Sequence, residues 1–139
     1  MNRHDYTDRF LEHYESPRHY GPLVEADVVL QGGNPDCGDI ITIYLTVAAD
    51  ETAEKIQFEG EGCTISQAAT SILLELTQGK PLAEIEAIDY NALIDTLGRE
   101  VVLGRVRCAT LSLNILKKAI QQYRAHQIKD DKKKSKVAQ

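Results

Sequence analysis

The sequence predicts an α+β fold, a small antiparallel β-sheet with helices packed on one face. Three observations predict it. Between residues 26 and 60 the apolar residues run in β-branched stretches or alternate with polar ones, as in strands. After Cys63 the spacing becomes helical and stays so to about residue 128. The connections between the strand-like stretches are short, which suits antiparallel pairing rather than crossovers.

The elements follow in order. Residues 5–16 read as a helix, with Tyr6, Phe10, Leu11 and Tyr14 at helical spacing and Pro17 ending the run. Residues 16–22 hold two prolines and a glycine and form a loop. Ala26 to Leu30 is a short strand, and Gln31 to Asp39 a turn-rich loop. Ile40 to Val47 is the strongest strand, β-branched and apolar on parts of both faces. Ala49 to Thr52 is a hairpin connection to the alternating strand Lys55–Gly60. Thr64 to Gln78 is a helix stopped by Gly79 and Pro81. Pro81–Ala87 and Asp89–Leu97 are short helices, with Asp89 as the N-cap of the second. Cys108 to Ile128 is a long amphipathic helix with Leu111, Ile115, Leu116, Ala119, Ile120 and Tyr123 inward.

A chain of 139 residues with 42% hydrophobic and 27% charged content makes one domain with a core that needs no disulfides. That domain is expected over residues 1–128, followed by a basic disordered tail over 129–139. Residues 129–136 carry five Lys and two Asp, a net +3, which leaves −8 on the rest against a total of −5. An acidic body argues against nucleic acid as a partner. No apolar run approaches the ~20 residues of a membrane span. The first residues have no apolar signal-peptide core, so a cytoplasmic, reducing location is expected.

Three cysteines are an odd number for a closed disulfide framework. Buried, inert thiols are the commoner state of cysteines in such a chain. Here, however, none of the three lies inside an apolar periodic run. Cys37 and Asp39 flank Gly38, whose freedom lets the turn aim both side chains at one point. Cys63 and Cys108 stand at the starts of helices, where the helix dipole favours thiolate. Three thiolates and one carboxylate suit zinc or the iron of an iron–sulfur cluster, if the fold brings them together. Spacing alone does not: Cys63 follows Cys37 by 26 residues, and Cys108 follows Cys63 by 45. Arg105 and Arg107 are either a solvated basic turn or, at Arg107, a cation that stabilises the Cys108 thiolate or an incoming persulfide. His4, His13, His19 and His126 are expected at the surface.

Gly33-Asn34-Pro35-Asp36-Cys37-Gly38-Asp39, Gly60-Glu61-Gly62-Cys63-Thr64-Ile65-Ser66 and Val106-Arg107-Cys108-Ala109-Thr110-Leu111 resemble the three cysteine motifs of the IscU/SufU/NifU iron–sulfur cluster scaffold proteins. The opening Tyr6…His13-Tyr14-Glu15-Ser16-Pro17-Arg18…Gly21 is similar to that family's N-terminal signature. The resemblance implies the same α+β fold (IscU/SufE-like) and a site of Cys37, Asp39, Cys63 and Cys108. It implies a transient 2Fe–2S cluster, or zinc in the same site. It also implies sulfur from a cysteine desulfurase and delivery to apo iron–sulfur client proteins, and it allows a homodimer; nucleic acid and membrane are not expected partners. Arg107 stands where the IscU branch usually has His, as in the SufU branch. The 45-residue spacing between the second and third cysteines leaves little room for the SufU insertion. Leu103-Gly104-Arg105-Val106 replaces the IscU chaperone-docking motif.

The leading expectation is thus a scaffold and carrier rather than an enzyme. Cys108 is its first persulfide acceptor, Arg107 stabilises the thiolate, and Asp39 is the exchangeable ligand, because a carboxylate oxygen binds cluster iron less firmly than thiolate does. The alternative is a zinc-dependent sulfurtransferase of SufU type that relays persulfide from a desulfurase. A closed structural zinc site ordinarily uses Cys and His, so the aspartate counts against that third reading.

Overall fold

A computed structural model describes residues 3–34 and 38–137, with side chains over 4–34 and 38–127. The order is α1 (Arg3–Glu15), β1 (Val28–Asn34), β2 (Asp39–Val47), β3 (Ala53–Glu61), α2 (Thr64–Thr77), α3 (Leu82–Glu86), α4 (Tyr90–Leu97) and α5 (Val106–Val137). The strands form one antiparallel sheet in the order β1-β2-β3. Helices α2 and α5 pack on one face of it, α5 against β1 and β2 and α2 against β3, and α1 lies on α2. This is the expected α+β fold.

The alternation of β2 decides which face is covered. Ile41, Ile43 and Leu45 are fully buried toward the helices, while Ile40 on the opposite face is exposed. Phe58 and Ile56 of β3 join them, and Leu113, Ile115, Leu116, Ala119 and Ile120 of α5 close the core from above. Each such side chain contributes roughly 1.5–3 kcal/mol by leaving water. Residues 19–21 add to the other edge of β3 through Phe58 N–H to His19 O and Gly21 N–H to Phe58 O, both 2.8 Å.

Helix α2 buries Ser66, Thr70, Ser71 and Thr77 beside its apolar residues. Three of these hydroxyls return to backbone carbonyls: Ser66 to Cys63, Thr70 to Ser66 and Thr77 to Leu73. Ser71 Oγ instead meets His13 Nδ1 and accepts from Arg18 N–H, both at 2.8 Å, and so ties α1 to α2. His13 is 6% exposed, which corrects the expectation of a surface histidine. On α1 the inward side chains include Phe10 and His13, whereas Leu11 and Tyr14 face solvent.

The bounds of β1 and α5 differ most from the sequence reading. The stretch expected as a loop from Gln31 is the second half of β1, paired with β2 as far as Asn34 opposite Asp39. Its glycines lower strand propensity, but Gly32 serves packing. A Cβ there would lie 2.7 Å from Cγ1 of Ile115, so only glycine lets α5 approach β1 this closely. Helix α5 begins two residues before Cys108 and continues past the boundary set at 128, through Val137. Side chains from residue 128 onward, and residues 138–139, lie outside the described residues. Asp89 caps α4 as expected, its Oδ2 accepting from Ala92 N–H at 3.2 Å.

Candidate metal centre

The facing ends of β1 and β2, the end of β3 and the first turn of α5 meet at one end of the sheet. They bring Asp39, Cys63 and Cys108 together, with one donor atom from each lying within 4.8 Å of the other two. Tetrahedral donors about 2.3 Å from a metal stand about 3.8 Å apart. Side-chain movements of about an ångström would therefore close the triangle around an ion. Cys37, the fourth expected ligand, lies outside the described residues.

Asp39 opens β2 and is 1% exposed. A buried carboxylate needs a donor or a cation. Its Oδ1 accepts the backbone N–H of Cys63 at 2.7 Å, and its Oδ2 stands 3.6 Å from Cys63 Sγ. One oxygen is thus fixed by the main chain, and the other is turned toward the sulfurs, where a cation would complement it. Gly38, next to it, has φ +69°, the left-handed conformation that the turn requires.

Cys63 is the residue before α2, in extended conformation, so its thiol sits at the helix's positive end as expected. Gly62 makes the approach possible. It has φ +121°, and a Cβ on it would fall 2.3 Å from Asp39 Oδ1 and 2.7 Å from Asp39 Cα. No side chain fits between this turn and the carboxylate.

Cys108 lies in the first turn of α5 rather than before it, and is 2% exposed. The side-chain Nδ2 of Asn34 donates to its Sγ at 3.6 Å. Asn34 is itself 8% exposed and pairs across the sheet with Asp39. The two strand ends therefore present an amide to one sulfur and a carboxylate to the other. Arg107 is exposed and, with Asn34, Tyr90, Thr110, Leu111 and Asn114, lines a groove of about 280 Å³ beside the centre.

Asn34 and Gly62 went unrecognised as parts of the site in the sequence, although both stand within the cysteine motifs. A polar residue closing a strand next to a ligand turn, and a glycine immediately before a ligand, were the available signals.

The NifU-like N terminal domain model matches residues 5–130. The chain is 35% identical over 118 residues to the iron–sulfur cluster assembly scaffold protein IscU 1 of Archaeoglobus fulgidus, covering 85% of this chain and 76% of that one. It is 31% identical over 132 residues to the zinc-dependent sulfurtransferase SufU of Bacillus subtilis, covering 83% and 88%. Among solved structures, a NifU-like N-terminal protein from Brucella abortus superposes with a TM-score of 0.73 at 21% identity, over 86% of this chain and 94% of that one, and supports the fold. A SUF-system scaffold from Fervidobacterium islandicum gives 0.69 at 26% identity, over 86% and 99%. With the family model matching residues 5–130 of its 139, the chain belongs to the NifU-like N terminal domain family.

Proposed function

We propose that this protein is a scaffold for iron–sulfur cluster assembly, and that Cys37, Asp39, Cys63 and Cys108 hold the iron and receive the sulfur. The observation that carries the proposal is the convergence of Asp39, Cys63 and Cys108 within 4.8 Å at a turn that no side chain other than glycine's could occupy. Relatives named as IscU scaffolds support it. The cluster is cargo, built here and passed to apo-proteins.

The chemistry follows from the donor set. Sulfur arrives as a persulfide on a cysteine desulfurase. The Cys108 thiolate attacks the outer sulfur of that persulfide. A new bond forms from Cys108 Sγ to this sulfur, the donor's S–S bond breaks, and the donor leaves as thiolate. Arg107, exposed in the next position, supplies a positive charge near the incoming anion. Thiolates hold iron firmly, while the carboxylate of Asp39 is the harder, more exchangeable donor. The site thereby combines retention with release.

A second reading has a specific observation in its favour, the similarity to a relative named a zinc-dependent sulfurtransferase. There zinc would occupy the same donors and the product would be persulfide alone. Anaerobic reconstitution with iron, cysteine and a desulfurase separates the two. A scaffold develops the visible absorption of a 2Fe–2S cluster with matching iron content. A sulfurtransferase keeps its zinc, takes up no iron and still passes persulfide to an acceptor. Loss of neither metal nor sulfur transfer in the Cys63→Ser variant would remove both readings.

A further inference from the structure

We propose that Asn34 is a positioning residue of this centre, whose side-chain amide donates to Cys108 Sγ, holds that sulfur toward Asp39 and Cys63, and withdraws charge from it when metal is bound. The proposal rests on the reading of Asp39, Cys63 and Cys108 as metal ligands, and adds to it a residue that supplies no ligand atom.

Four observations carry it. Nδ2 lies 3.6 Å from Sγ, an ordinary N–H···S separation given the radius of sulfur. Of the two orientations an amide can take, this one presents a donor, which is what a thiolate accepts. Both partners are buried, Asn34 at 8% and Cys108 at 2% exposure, so water does not compete well for the contact. Asn34 is also fixed by its backbone, as the last residue of β1 directly opposite Asp39 on β2. The cross-strand pair thus divides the work, with the carboxylate serving Cys63 and the amide serving Cys108.

Charge explains why an amide stands there. With metal bound, the Cys63 and Cys108 thiolates and the Asp39 carboxylate already bring three negative charges to one point. A neutral donor lowers the electron density on Cys108 Sγ without adding another charge. Groups that orient or hydrogen-bond metal ligands tune both affinity and potential. An aspartate at position 34 would have the same shape, no donor and a further negative charge.

The test uses the full-length protein. Anaerobic reconstitution of Asn34→Leu and Asn34→Asp should give clusters with lower reduction potentials than the unmodified protein, Asn34→Asp the lower of the two. Zinc titration should show Asn34→Leu binding about tenfold or more weakly at unchanged stoichiometry. In the unmodified, amide-labelled protein the side-chain N–H signal of Asn34 should move on zinc loading. A potential in Asn34→Leu equal to that of the unmodified protein overturns the proposal. If the variants hold no cluster, the amide signal decides, and a signal that zinc does not move overturns it while measured zinc binding leaves the metal-site reading standing. Failure of the unmodified protein to bind any zinc or iron overturns both.

Discussion

In the proposed function, Asp39 is the residue on which retention and release of cargo turn. Its carboxylate is buried, with Oδ1 taken by the Cys63 N–H and Oδ2 facing Cys63 Sγ. Removing the carboxylate takes away the most exchangeable ligand and a path for acceptor thiols. Asp39→Ala should therefore trap the cluster, slowing transfer to an apo-ferredoxin and lengthening the cluster's lifetime in air. A large loss of metal with normal transfer kinetics per remaining cluster would make Asp39 a plain structural ligand instead. Cys108 carries a separate prediction. After incubation with a desulfurase and cysteine, mass spectrometry of tryptic peptides should find persulfide mainly on Cys108. Cys108→Ser should abolish the label, and Arg107→Ala should slow its appearance. A label chiefly on Cys37 or Cys63 would show another acceptor within the same site. At this scale the motifs made the candidate ligands legible, because three cysteines at loop ends and an aspartate two residues from one of them are a chemical set. The convergence of Asp39, Cys63 and Cys108 was not legible from spacing, since the rest of β2, strand β3 and helices α2 to α4 intervene between first and last. Asn34 was hidden because its role depends on which strand end faces α5.

Elements explain how the site is held. Close packing of α5 on β1 depends on Gly32, whose missing Cβ leaves room for Ile115. Gly32→Ala should cost roughly 1–3 kcal/mol through overpacking, read from the urea midpoint at constant slope. The cost should fall in the Ile115→Val background, where part of the clashing side chain is gone, so that a double-mutant cycle shows clear coupling. Equal costs in both backgrounds would mean that the helix and strand are not in the contact described. The junction of α1 and α2 carries a pH dependence. Burial, then the Arg18 charge, holds the His13 imidazole below its usual range, against the opposing pull of Glu75 and Glu12 and with a smaller push from Arg9. The folded state therefore binds its proton less readily than the unfolded state. Stability from this residue is fully present above the unfolded value of ~6.5 and is lost as pH falls through it toward the lower folded value. Urea midpoints should drop between neutral pH and pH ~5.5 by more in the unmodified protein than in His13→Gln. Equal slopes would dismiss His13 as the cause. Periodicity revealed nearly all the elements, including Asp89 as a cap, because amphipathic spacing is local. It missed the second half of β1 and the burial of His13 because both are decided by partners far along the chain, Ile115 in one case and Ser71 in the other.

For the whole molecule, the acidic body and the one-sided sheet set the terms of function. Helices cover one face of the sheet and leave Val29 and Ile40 exposed on the other. Among the described residues no helix is long and apolar enough to cross a membrane. The candidate metal centre occupies one end of the sheet, at the start of β2, the turn after β3 and the first turn of α5. In the proposed function this end of the molecule forms one centre of three sulfurs and one oxygen. X-ray absorption on the zinc-loaded protein reads that donor set. The first shell should hold three sulfurs at about 2.3 Å and one light atom at about 2.0–2.2 Å, with the light-atom contribution diminished or replaced by water in Asp39→Ala. A shell of nitrogen and oxygen alone, or an identical three-sulfur shell in the Cys63→Ser variant, would contradict it.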